Sequence, residues 1–169
     1  GEADMARLIV HPTDFSPGAQ AALRQALDVA RRERARLVLV HVLEPVTFGD
    51  AEYMLHELEL RDAARAAARK GFERLQAAAR RAGVRAGVVL LTGGVARSIV
   101  DLARKRRAHS IIMGTHGRTG LRRMFLGSVA AQVLATAPCP VLTVRGVAAA
   151  RRRRRPAGGA RGAGSLRRG

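Results

Sequence analysis

The sequence predicts an open α/β sandwich, a parallel sheet with helices on both faces, on two observations. Short continuous apolar runs, each bounded by turn signals, alternate with longer amphipathic segments through residues 7–144, the pattern of a doubly wound sheet. One glycine-rich stretch stands between a buried strand and a helix, where such sheets place their ligands.

The elements follow in order. Arg7–Pro12 (RLIVHP) reads as a strand closed by proline. Ser16 and Pro17 then form a helix start, with Ser as N-cap and Pro at the first helical position. From Pro17 to about Arg34, Ala19, Ala22, Leu23, Ala26, Leu27 and Ala30 recur at helical spacing. Arg36–Val42 (RLVLVHV) is a second buried strand, ended by Glu44-Pro45. A long stretch from about Ala51 to Ala82 reads as helix, stopped by Gly83. Its apolar positions Met54, Leu55, Leu58 and Phe72 are expected to form one packed face. Val84–Leu91 is a third strand and Val95–Arg107 a third helix, with Ile99, Leu102 and Ala103 inward. Ser110–Met113 is a fourth strand, Ser128–Thr136 a last helix and Pro140–Val144 a last strand. Right-handed crossovers make this a flavodoxin- or Rossmann-like sandwich.

Composition sets the bounds. The chain has 169 residues, 47% of them hydrophobic, enough for one domain with a sizeable core. No apolar run approaches the roughly 20 residues that span a bilayer. The single cysteine, Cys139, excludes an internal disulfide framework and a cysteine-rich zinc site. The first ten residues lack the apolar core of a signal peptide, so a reducing, cytoplasmic setting is expected. Gly1–Asp4, ahead of Met5, read as a remnant outside the domain, which is expected to span residues 5–146.

The formal charge is +18, from 31 Lys+Arg against 13 Asp+Glu. Eight arginines and no acid fall in residues 147–169, an Arg/Gly/Ala-rich segment expected to be a disordered tail. Its run Arg151–Arg155 could hold nucleic-acid phosphates, sequence-blind and salt-sensitive. No aromatic residues interleave a basic stripe as a base-stacking platform requires. The body's remaining arginines are scattered through the predicted helices, a pattern that suits a compositional bias.

The loop after the fourth strand carries the chemistry. It runs from Gly114 to Ser128 with four glycines, Gly114, Gly117, Gly120 and Gly127. Glycines remove Cβ atoms where backbone must approach something closely. The helix start at Gly127-Ser128 offers unpaired N–H groups and the positive dipole end. Ser128 adds a hydroxyl, and Arg118, Arg122 and Arg123 bring positive charge. A polyphosphate fits these parts best, with a long flexible turn as the plainer reading. There is no Gly-Lys pair for a Walker A loop, and no GxGxxG after the first strand. Asp14, just past the first strand, could accept from a ribose hydroxyl or an adenine amino group; it could equally cap the turn into the first helix. His11 and His41 end buried strands and read as core or pocket-wall groups rather than metal ligands. No metal constellation stands at ligand spacing, and nothing cationic is placed to activate Cys139.

Over residues 6–145 the chain resembles the universal stress protein family. The resemblance rests on Gly-x-x-Gly-x(9)-Gly-Ser at Gly114, Gly117, Gly127 and Ser128, on Pro12-Thr13-Asp14-Phe15-Ser16, on His41-Val42, and on Pro138-Cys139-Pro140-Val141. It implies a five-stranded sheet in the order 3-2-1-4-5 and a homodimer paired through the last strand, about Val141–Val144. The loop spacing is similar to that of the family's ATP-binding branch, with Mg²⁺ held by the phosphates. Carried over, Asp14 and Val42 would line the adenosine end beside Pro12 and Thr13. Met113 and Gly114 would sit near the ribose, and Gly117, Gly127, Ser128 and Val129 at the phosphates. Gly93-Gly94-Val95 departs from the more usual Gly-Asp/Asn-Pro, weakening one helix cap. The function implied is an ATP-binding stress or signalling module. Slow hydrolysis or self-phosphorylation is the alternative, with Ser128, Thr119 and Thr115 as acceptors and His116 as the nearby base.

Overall fold

A computed structural model of the chain describes residues 7–45, 54–115 and 126–146. Its elements are β1 (Leu8–Pro12), α1 (Pro17–Glu33), β2 (Arg36–Leu43), α2 (Met54–Arg81), β3 (Ala86–Thr92), α3 (Val95–Lys105), β4 (Ser110–Gly114), α4 (Ser128–Thr136) and β5 (Val141–Val144). The strands form one parallel sheet in the order β3-β2-β1-β4-β5. The expected fold class and strand order are those observed. No helix among the described residues is long and apolar enough to cross a membrane.

Two apolar layers flank the sheet. Ile9, Leu37, Leu39 and Ile112 pack against Leu23, Leu27, Phe72 and Leu75 of α1 and α2. Their alternates Val10, Val38, Val40, Ile111 and Met113 pack against Ile99, Val100 and Val133 of α3 and α4. Alternate residues of a strand face opposite sides, so burial on both sides makes the central strands apolar throughout.

The helix signals act where the sequence put them. The Ser16 hydroxyl accepts from the Ala19 amide at 3.2 Å, with Pro17 at the first helical position. Gly83, at φ 70°, follows the end of α2. Gly94 caps α3 without a side-chain hydrogen bond, as its lack of Asp or Asn implies.

One expectation fails. Leu58 does not share a packed face with Phe72; it is 51% exposed, while Phe72 is buried. The buried positions of α2 are Ala68, Gly71, Phe72, Leu75 and Ala79, and no residue from His56 to Ala67 is buried. A 28-residue helix is about 42 Å long, whereas the eight residues of β2 span about 26 Å. The amino-terminal part of α2 therefore has no sheet to pack on. The side chains of Met54 and Leu55 lie outside the description.

The seam between β1 and β4 positions the site. β1 pairs with β2 over five residues, but with β4 only at Ile9↔Ser110 and Val10↔Ile111. At the next step the His11 side chain takes over, its Nδ1 donating to the Ile112 carbonyl at 2.8 Å. The chain order reverses at this seam, the point where open parallel sheets form a crevice at their carboxyl edge.

Candidate functional site

A cleft of about 470 Å³ opens at that edge. Its walls come from Pro12, Thr13 and Asp14 after β1, Val40–Glu44 of β2, Val95 and Ile99 of α3, Met113–Thr115 of β4, and Gly127–Ala130 at the start of α4. Of the eleven residues singled out from the sequence, Pro12, Thr13, Asp14, Val42, Met113, Gly114, Gly127, Ser128 and Val129 line this one cleft. Gly117 and Arg118 lie outside the described residues, as do His116 and Thr119.

The turn after β1 is built to hold Asp14. The Thr13 amide donates to the Val40 carbonyl at 2.8 Å, extending the ladder past Pro12. His41 Nδ1 donates to the Thr13 carbonyl at 2.7 Å. Thr13 Oγ1 accepts from the Phe15 amide, and Asp14 Oδ1 from the Ser16 amide, both at 3.0 Å. The turn-capping role and the place on the cleft wall thus belong to the same carboxylate.

Phe15 sits at φ 62°, where a bulky residue costs about 1–2 kcal/mol. Its ring offsets that cost by packing 4.8 Å from the His41 ring and edge-on to Phe72 at 5.5 Å. Gly71 of α2 makes room for it, since a Cβ there would collide with the ring. Phe15 therefore pins the cleft turn to α2 from behind.

On the opposite wall, the Gly127 amide donates to the Thr115 carbonyl at 2.8 Å, joining the two ends of the glycine-rich segment. Gly127 is the N-cap of α4 and no side chain caps this helix. The amides of Ser128, Val129 and Ala130 therefore have no partner within the helix, and the positive dipole end lies at the cleft. Val42, Val95, Ile99 and Met113 supply an apolar wall between the two polar ends.

Gly114 answers a different need from the one its loop suggested. A Cβ there would stand 3.3 Å from the Gly18 carbonyl carbon and oxygen, so the glycine lets β4 approach α1. Gly146 makes the same kind of approach, its absent Cβ falling 2.9 Å from the Gly18 Cα.

His11 is fully buried, and its Nε2 has no hydrogen-bond partner. Burial lowers its pKa from 6.5 to about 4, against the opposing pull of the Ile112 hydrogen bond and of Asp14. The ring is a neutral core group at physiological pH. Burial also raises the Cys139 thiol, which disfavours the thiolate form. Among the described residues no group of three His, Cys, Asp or Glu side chains could hold a metal ion.

Sequence reasoning named neither Val40, Glu44 nor Val95 as cleft residues, and it placed Ile99 only in the core. Their signal lay in the strand order: once β2 and α3 stand beside β1, the carboxyl end of β2 and the first turn of α3 must face the crevice.

The universal stress protein family matches residues 5–145. The chain is 34% identical over 141 residues to a universal stress protein of Methanocaldococcus jannaschii, covering 81% of each chain. Among solved structures it is similar to universal stress protein UspA from Lactobacillus plantarum, with a TM-score of 0.77 and 26% identity. That match covers 82% of this chain and 97% of the other. Two more distant structures share the fold. One is a universal stress protein solved with cAMP, at 21% identity and TM-score 0.65, covering 84% of this chain and 98% of that one. The other, from Archaeoglobus fulgidus, was solved with dAMP, at 24% identity and TM-score 0.60, covering 83% and 98%. With its sheet order, its carboxyl-edge cleft and a match over 141 of its 169 residues, this chain belongs to the universal stress protein family.

Proposed function

We propose that the protein binds an adenine nucleotide, ATP with its Mg²⁺, in the carboxyl-edge cleft and acts as a dimeric signalling module in the cytoplasm. The observation that carries this reading is the cleft's division into an apolar wall and two polar ends. Val42, Ile99 and Met113 offer a surface for a base, Asp14 offers an oriented acceptor, and the uncapped start of α4 with the Ser128 hydroxyl offers donors for phosphate. A volume of about 470 Å³ falls within the range of small-molecule sites. Proteins of this fold solved with cAMP and dAMP show that the scaffold holds adenine nucleotides in those relatives.

The described residues give Mg²⁺ no ligand cluster of its own, so in this reading the phosphates carry it and Ser128 orients them. Binding ties the turn after β1 to the start of α4 across the seam, and the nucleotide state is read by a partner as a difference in shape. The homodimer is proposed through β5. This strand pairs only with β4 among the described residues, and Leu142 on it is 46% exposed.

The test is calorimetric titration of Mg-ATP, ADP and cAMP into the protein and into Val42→Trp, which fills the cleft. Saturable binding lost in the variant supports the reading. Equal heats from both proteins, or none from either, overturn it. Appearance of ADP or phosphoprotein on long incubation would turn the module into a slow enzyme. Retention on nucleic acid that survives moderate salt would favour the arginine-rich segment as the functional part.

A further inference from the structure

The opposite, amino-terminal edge of the sheet holds a second cavity, of about 700 Å³. The approach to each of the five strands contributes to it: Arg7 before β1, Arg36 in β2, Arg85 before β3, Arg106–His109 before β4 and Pro138–Pro140 before β5. Five of the lining residues are arginines and none is acidic.

The sheet fixes their backbone positions. The Arg36 amide donates to the Arg7 carbonyl at 2.8 Å, and the Leu37 amide to the Arg85 carbonyl at 2.9 Å. The parallel register sets Leu37 beside Ala86, so Arg36 and Arg85 stand side by side one step earlier. Like charges so placed on neighbouring strands destabilise a sheet.

Compensation is scarce here. Arg7 lies 3.4 Å from Glu33, which also approaches His109 Nε2 at 3.9 Å. Arg36, Arg85, Arg106 and Arg107 have no ion pair among the described residues, whereas Arg61, Arg97 and Arg104 on the helices pair with Glu57 and Asp101.

We infer that this edge is a binding site for a chain of linked phosphates, of which inorganic polyphosphate is the simplest. Guanidinium groups match phosphate oxygens two at a time. A phosphate chain brings several charges into a small volume, as four unpaired arginines around one cavity require. No Phe, Tyr or Trp lines the cavity, so it lacks the broad stacking platform of a single-strand binder. The site lies at the far end of the strands from the proposed nucleotide cleft and does not depend on that reading.

The experiment titrates inorganic tripolyphosphate into the full chain and maps it by backbone amide shifts. The triple variant Arg36→Ala/Arg85→Ala/Arg106→Ala is compared with Arg65→Ala/Arg69→Ala/Arg74→Ala, which removes the same charge from exposed positions on α2. Shifts are expected at Arg85, Ala108 and Cys139, with affinity weakened roughly tenfold or more in the first variant and little changed in the second. The first variant should melt no lower than the parent, because it relieves repulsion. Arg36→Lys/Arg85→Lys, which keeps the charge and loses the fork, should weaken binding without disturbing the fold. Equal loss in both triple variants reduces the effect to net charge and overturns the site. Shifts confined to Ser128–Ala130, or tighter binding of duplex RNA or an acidic peptide of equal charge, also overturn it.

Discussion

The buried ring of His11 makes a quantitative prediction about acid stability. In the unfolded chain this histidine takes a proton below about pH 6.5; in the folded chain burial holds the proton off until about pH 4. Between those values acid favours the unfolded state, so stability is complete above pH 6.5 and falls as the pH drops. The difference between the two pKa values corresponds to a few kcal/mol, most of it developed by pH 4.5. The informative variant is His11→Asn, whose amide can donate to the Ile112 carbonyl but does not titrate. Removing the far edge of the ring costs some stability at every pH, and that offset does not affect the slope. Urea unfolding followed by circular dichroism from pH 7.5 to 4.5 gives both stability curves. Subtracting them cancels the carboxylates, which titrate alike in both proteins. The wild type should lose about 2–3 kcal/mol relative to the variant over this range. A difference constant to within about 0.5 kcal/mol, comparable to the error of such extrapolations, would refute the reasoning, as would a slope of opposite sign.

Three further outcomes are expected. Gly71→Ala gains about 1 kcal/mol in helix propensity but drives a methyl into the Phe15 ring, at about 1–3 kcal/mol for overpacking. Thermal melting should show a net loss of about 1 kcal/mol, and weaker nucleotide binding should accompany it because Phe15 pins the turn that carries Asp14. Leu142→Glu on the exposed face of β5 should shift sedimentation from dimer to monomer with the circular dichroism spectrum kept; a monomeric wild type would remove the proposed interface. With its thiol raised by burial, Cys139 should be alkylated by iodoacetamide at pH 8 more slowly than free cysteine, and an equal or faster rate would contradict that.

Local signals and parallel-sheet logic made much of this fold legible. Ser16-Pro17 announced α1, Gly83 the end of α2, and the alternation of strand and helix runs placed the carboxyl-edge loops around a common crevice. What escaped was set by contacts between distant segments. Phe15 and Gly71 are 56 positions apart, and only the fold shows that one needs the other's missing Cβ. Gly146 stood in the sequence only as the last residue of the expected domain, yet its missing Cβ lets the chain approach Gly18 closely. His11 read as a core or pocket-wall group, and the fold shows that only its Nδ1 has a partner. In α2 the apolar spacing continues through Leu58 and Leu60 without a sheet beneath them. Periodicity gives the face of a helix and not how much of its length is covered.

The arginines pose the same problem on a larger scale, and helix dipoles separate two kinds of them. In a parallel sheet the helices begin at the carboxyl edge of the strands and end at the amino edge, so partial negative charge gathers at the amino edge. Arg31 and Arg32 in the last turn of α1, and Arg104 and Lys105 in that of α3, answer that field at about 0.3–1 kcal/mol each. Arg7, Arg36 and Arg85 belong to no helix; they stand at the starts of three adjacent strands. Dipole compensation does not place a cation there, and cross-strand repulsion disfavours one. Among the described residues the carboxyl-edge cleft is lined by Asp14 and Glu44, whereas the amino-edge cavity is lined by five arginines and no acid. A bound anion at the amino edge would offset the repulsion among these strand-start arginines.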